Sequence, residues 1–376
     1  MPFPLFNRHQ SKFEPLANRV DRVHIAQDSV DPAAPPGPMN PAAEAIVRET
    51  AARVVQAKER GAARIAAFGA HAIKNGLAPV FQQLIAEGWF THLATNGAGV
   101  IHDWEFAFQG QSSEHVAENV AAGRFGMWQE TGHYLNLALR VGAYQGLGYG
   151  EAIGAFVENG GLRIPSEENL RQEINVYLSH DLHRAGAAID LLDAVQTFRL
   201  QPGWISVEHP YKAYGLQAAA FQAGIPLTGH PMFGHDIIYA HPMSHGAAIG
   251  RAAERDFLAF AQAVTQLSGG VYVSLGSAVM SPMIFEKSLS MAQNFLMQRD
   301  KRVEDHFIAV VDLAESQWDW SQGEPPEDHP DYYLRYNKTF SRMGGTLRYA
   351  SADNRAFLLT LAQQLHAAHM ETEAAS

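Results

Sequence analysis

Short apolar runs recurring between longer helical stretches constrain this chain more than any other feature. Arg64–Phe68, Trp89–Thr95, Trp204–Val207, Pro226–Thr228, Gly270–Leu275, His306–Val311 and Thr346–Tyr349 read as strands. Helical patterns at Pro41–Gly61, Asn75–Gly88, Tyr214–Gly224, Ala247–Leu267, Ile284–Met297 and Arg355–His366 separate or flank them. Strands covered on both faces need no polar alternation, and a helix between two strands lets them run parallel. The pattern predicts an α/β fold, Rossmann-like, with a mostly parallel sheet flanked by helices on both faces.

Residues 1–40 read differently. Asp31–Pro41 (DPAAPPGPMNP) carries five prolines, which lack N–H donors and favour extended backbone. We expect an extended Pro-rich N-terminal arm over 1–40. A single domain is then expected over 41–370, with a helical middle insertion at about 112–200. Disorder is excluded for the bulk, because 47% of residues are hydrophobic and only 18% charged. The net charge of −11 argues against a general binder of nucleic acid or anionic membranes. The absence of cysteine excludes disulfides, thiolate metal sites and thiol nucleophiles. No secretory signal pattern opens the chain, and no apolar run approaches the ~18 residues of a membrane span. A soluble, cytoplasmic protein is the expectation.

Open α/β sheets bind ligands beyond the carboxyl ends of their strands, so the residues placed there matter most. They are Gly69-Ala70-His71, Asn96-Gly97-Ala98-Gly99 followed by His102-Asp103, Thr228-Gly229-His230 followed by His235-Asp236, Gly276-Ser277, and Asp312. Glycine lets backbone approach a pyrophosphate, and helix N-termini offer it unpaired N–H groups. The recurrence points to a nucleotide-type ligand, although the G-x-G-x-x-G fingerprint is absent.

These segments, in this order from about Arg64 to Leu365, resemble the deoxyhypusine synthase family. The family's Ala-Gly-Gly-Val-Glu-Glu-Asp turn resembles Gly97–Asp103, and its Thr-Asp-Gly-Ser-Leu-Gly-Asp loop resembles His230–Asp236. Its Gly-Gly-Gly-Val-Val turn resembles Leu275–Val279, and its lysine-bearing Ser-Trp-Gly-Lys-Ile motif resembles Arg335–Thr339. Departures fall on the paired acids (here Ile101 and His102), on the Trp-Gly pair (Tyr336 and Asn337) and on a His-His pair (near Ser281-Pro282). The Asn96–Asp103 turn is also similar to that of an archaeal-type ornithine cyclodeaminase. The resemblance implies NAD and an amine-type small substrate, with hydride removal and imine chemistry. It implies Lys338, His102 and His235 as catalytic residues, with Asp103, Asp236 and Tyr336 binding substrate. Gly69, Asn96, Gly97, Gly99, Gly276, Ser277 and Asp312 would hold the cofactor, and no metal is implied.

Two other readings remain open. His230, His235, His241 and His245 fall within sixteen positions around Asp236, a composition compatible with a metal-dependent hydrolase, although no standard ligand spacing is present. A non-catalytic NAD- or nucleotide-binding protein is the third. The resemblance further implies a homotetramer. Light scattering at micromolar concentration is expected to return a multiple of the 41.2 kDa chain mass; a monomer would contradict it.

Overall fold

Six apolar runs pair into one parallel sheet: β1 (Arg64–Phe68), β2 (His92–Asn96), β3 (Leu227–His230), β4 (Val271–Leu275), β5 (Phe307–Asp312) and β6 (Thr346–Ser351). The computed structural model describes residues 3–375. The strand order is β3-β2-β1-β4-β5-β6, and every pairing is parallel. This is the doubly wound Rossmann-like order, with its reversal between β1 and β4. Both reversal strands are buried at every residue, as strands covered on two faces must be.

Alternation along the strands assigns the two faces. Tyr272, Ile308 and Leu347 point into a core with Phe260, Phe285, Leu289 and Phe340, which brings the Met280–Met297 and Arg335–Ser341 helices onto one side. The alternate residues meet the Pro41–Glu59 helix on the other side. Arg53 lies over the Phe307 ring, and Arg348 pairs with Glu49 at 2.8 Å. The Asn354–Ala375 helix packs beside Pro41–Glu59. The predicted fold class is the observed one.

The chain divides into two compact units. The first takes residues 1–27, 100–218 and 231–256; the second, which holds the sheet, takes 28–99, 219–230 and 257–376. The first unit has its own core, including Trp104, Trp128, Tyr149 and Phe156. The expected 112–200 insertion falls in this unit. The expected arm is shared, 1–27 going to the first unit and 28–40 to the second. Within the first unit, Asp21–His24 pairs antiparallel with Gln111–Glu114. Within the second, Gln363 Nε2 donates to the carbonyls of Pro32 and Ala34, at 3.0 and 2.7 Å.

One expected strand lies elsewhere. Gly203–Ser206 forms an antiparallel ribbon with Gly161–Ile164, outside the parallel sheet. Its residues alternate between half-buried and exposed, unlike the continuous burial of β1 and β4. Apolar content alone hid that difference of period.

At the reversal, the Gly69 amide donates to the Leu275 carbonyl at 3.0 Å. A Cβ on Gly69 would lie 2.2 Å from the Gly276 carbonyl oxygen. Gly69→Ala is therefore expected to cost about 1–3 kcal/mol through overpacking against a backbone that cannot yield, read as a lowered denaturant midpoint.

Candidate functional site

In the sheet unit, the structure brings Gly69, Gly276, Ser277 and Asn354 together beyond the ends of β1 and β4. Gly276 has φ +54°, a conformation glycine adopts freely, and its amide donates to the Val311 carbonyl at 2.9 Å. A Cβ there would lie 2.3 Å from Asn354 Nδ2. Ser277 is buried, and its hydroxyl accepts from the Ser281 amide at 3.1 Å, capping the start of the following helix. Asn354 is 8% exposed, and among the described residues its Oδ1 has no hydrogen-bond partner. A buried amide oxygen without a partner carries a desolvation cost, which a donor from a ligand would remove.

Beyond β2, the Asn96 side chain accepts from the Gly99 amide at 2.8 Å in the first turn of the Gly97–Gln109 helix. Gly99 packs on Thr95, whose hydroxyl donates to the Phe68 carbonyl at 3.0 Å. A Cβ on Gly99 would lie 2.2 Å from Thr95 Oγ1, so glycine is required here by the protein's own packing.

Beyond β5, Asp312 accepts from the Ala314 amide at 3.2 Å and hydrogen-bonds Tyr336. Burial, with Asp312 adding to it, pushes the Tyr336 phenol up to about 12. Its hydroxyl lies 3.2 Å from that of Tyr349, which donates to the Ala314 carbonyl. Lys338, on the same short helix as Tyr336, is engaged differently. Its Nζ lies 3.3 Å from the Tyr332 ring centroid and 3.0 Å from Glu324 Oε1. The bond to Tyr332 and the Glu324 carboxylate raise its pKa. An imine-forming lysine must be neutral, and these surroundings favour the cation.

The four remaining candidates belong to the first unit. Asp103 is buried, and its carboxylate accepts from the Leu216 and Gln217 amides and from Gln217 Nε2, at 2.8, 2.9 and 3.0 Å. It holds the N-terminus of the Leu216–Ala223 helix, a capping role. His102 Nδ1 lies 2.7 Å from the Ser112 hydroxyl, which donates to Glu105. That direction makes Nδ1 the donor to Ser112. Glu105 also accepts from the two terminal Arg19 guanidinium nitrogens, at 2.8 and 2.6 Å, and from the Thr131 hydroxyl at 2.8 Å. Arg19 leads the effects that lower the Glu105 pKa against the opposing effect of burial. His235 is exposed. Asp236 is pushed up to about 6 by burial, and accepts from the Tyr239 hydroxyl at 3.3 Å. Tyr239 lines a cavity of about 410 Å³ with Phe233, Arg8 and Ser244.

The four clustered histidines do not converge. His230 lies on β3 and bonds the Thr228 hydroxyl at 2.9 Å, as does His92 at 3.0 Å. Burial pushes both imidazoles down to about 3, so they are neutral. His241 stacks edge-on against Phe13, and His245 lies 3.9 Å from Asp190. Among the described residues no group of three His, Asp or Glu is placed to hold a metal ion, and no helix is long and apolar enough to cross a membrane. Tyr239 and Asn354 escaped the sequence reading. Asn354 follows β6 closely, so the strand-end rule applied to it as well. Tyr239 carried no such signal.

No protein-family model matches the chain, and no curated protein matches it. Distantly similar solved structures include the following three. One is ArgZ, an arginine dihydrolase from the ornithine-ammonia cycle in cyanobacteria: 13% identity, TM-score 0.41, covering 86% of this chain and 33% of that one. Another is AgrE in its ternary complex with ornithine and NAD+: 13%, 0.44, 89% and 34%. The third is an Entamoeba histolytica protein assigned as a deoxyhypusine synthase: 9%, 0.35, 86% and 89%. The chain thus spans about a third of the length of ArgZ and AgrE. These likenesses are too distant to assign an activity.

The raised Asp236 pKa has a stability consequence. An acid that binds its proton more tightly when folded loses stability as pH rises from its ordinary value, 3.8, to its folded value, about 6. Asp236→Asn is expected to remove that loss. Denaturant midpoints across pH should show the variant more stable than wild type above about pH 6 and equal to it below 3.8.

Proposed function

We propose that the chain is an NAD-dependent enzyme acting on a small amine. The observation that carries this reading is the approach of Gly69 to Gly276 at the β1–β4 reversal, the position where doubly wound sheets bind dinucleotides. The residues present fit such a group. Small residues keep the crevice open to backbone, and the unpartnered Asn354 Oδ1 offers an acceptor to a ribose hydroxyl. Gly69, Gly276, Ser277 and Asn354 would hold the cofactor, with Asn96, Gly97 and Asp312 at the neighbouring strand ends. NAD, when bound, supplies a hydride acceptor for a carbon that carries an amine.

The first unit supports the amine part of the reading. Asp236, its pKa raised to about 6 by burial, accepts from Tyr239, which lines the cavity of about 410 Å³; a carboxylate in that state pairs with an ammonium or takes its proton. His102, with its hydrogen on Nδ1, is a second candidate base. The charged state of Lys338 favours oxidation or deamination over transfer through a lysine imine.

Calorimetric titration with NAD tests the reading. Wild type is expected to bind, and Asn354→Ala to bind about tenfold more weakly, the loss of one buried hydrogen bond. A panel of diamines and amino acids should then yield at least one that drives NADH formation. Absence of NAD binding at millimolar concentration would overturn the proposal. Gly99→Val is not a usable probe, because its side chain would strike Thr95 and disturb folding first.

A further inference from the structure

A cavity of about 810 Å³ in the first unit is lined by a separate set of residues. Three arginines line it. Arg184 comes from the Leu182–Phe198 helix; Arg251 and Arg255 come from the Gly246–Val264 helix. Spacing of four residues puts Arg251 and Arg255 on one helical face. Arg251 is anchored: its Nε donates to Asp190 at 2.9 Å. Gly186 makes room for it, since a Cβ there would lie 2.4 Å from Arg251 Nη2. The Arg184 guanidinium lies over the Tyr177 ring, 4.1 Å from its centroid. Among the described residues neither Arg184 nor Arg255 has a carboxylate within ion-pair distance.

Asp190 offsets the charge of Arg251, whereas the two carboxylates that line the cavity form no ion pair with Arg184 or Arg255. They are Asp181 and Glu254. Asp181 Oδ1 accepts from the Arg184 backbone amide at 3.0 Å, in a helix cap, and Glu254 is exposed, as are Arg184 and Arg255. His183 also lines the cavity.

The geometry points to a binding site for a small phosphomonoester. A phosphate dianion presents three terminal oxygens to Arg184 and Arg255, with Arg251 held beside them by Asp190 and the His183 carbonyl; a carboxylate presents two. The volume lies within the range of ligand pockets, about 300–1,000 Å³, and exceeds what the phosphate alone would fill. Tyr144, Leu147 and Ala143 offer apolar surface to the organic part.

The test uses the full chain and matched probes. AMP and ribose 5-phosphate are each titrated calorimetrically against adenosine and ribose, with succinate as a dicarboxylate. Both phosphate esters are expected to bind at least tenfold more tightly than their uncharged partners and than succinate. Arg184→Ala and Arg255→Ala should each weaken AMP about tenfold with an unchanged circular dichroism spectrum. Equal binding of AMP and adenosine, tighter binding of succinate, or wild-type AMP affinity in both variants would overturn the site. NAD also carries phosphates, so its affinity is measured in the double variant. Unchanged NAD affinity supports a separate site, and its loss overturns one. Failure of the phosphate esters leaves the Asn354-dependent NAD titration unaffected, so the two proposals fall separately.

Discussion

The Gly69 amide bonded to the Leu275 carbonyl, with the Gly276 carbonyl where a side chain would otherwise stand, fixes how the two halves of the sheet meet. β1 and β4 are neighbours in space but about two hundred residues apart in the chain, and their carboxyl ends must close on each other without side chains between them. That requirement places two glycines in contact. Asn354 then meets Gly276 because β6 delivers its helix to the same edge. Cofactor chemistry, where this fold supports it, follows from a packing constraint satisfied first.

Burial decides which ionisable groups keep their charge. Glu105 remains ionised because Arg19 meets both of its oxygens, with Thr131 and Ser112 adding donors. Loss of Arg19 would leave Glu105 as an uncompensated buried charge, whereas Arg19 also pairs with Asp21 at 2.8 Å. His92 and His230 solve the same problem by staying neutral and sharing the Thr228 hydroxyl. Asp236 lies between these extremes: it is bonded by the Tyr239 phenol and the Met232 backbone, no cation lies within ion-pair distance among the described residues, and burial raises its pKa to about 6. An acid left in that state is suited to exchanging a proton, whereas Glu105 is suited to holding a fold together.

Much of the sheet was readable because a strand buried on both faces leaves a dense apolar signature. RIAAF at 64–68 and the runs near 271–275 and 307–311 stand out without any partner in view. Trp204–Val207 failed as a member of that sheet because one-sided burial and two-sided burial can share the same residue types over four positions. The glycines at strand ends were also legible, but their reasons were not. Gly69 serves the β1–β4 contact, and Gly99 serves Thr95.

Roles that depend on partners distant in sequence lay beyond any reading of local pattern. Asp103 looked like a ligand for an amine until Leu216 and Gln217, more than a hundred residues away, appeared on its oxygens. Lys338 looked like a nucleophile until Tyr332 and Glu324 surrounded its ammonium. Arg184 and Arg255, seventy-one positions apart, form a cluster only when two helices line one cavity. The sequence by itself determined the fold class, because strand and helix periods are written locally in side-chain polarity. The tertiary structure alone decided which polar groups are spent on the fold and which are left for a ligand, because hydrogen bonds and ion pairs are made by whatever folding brings within three ångströms.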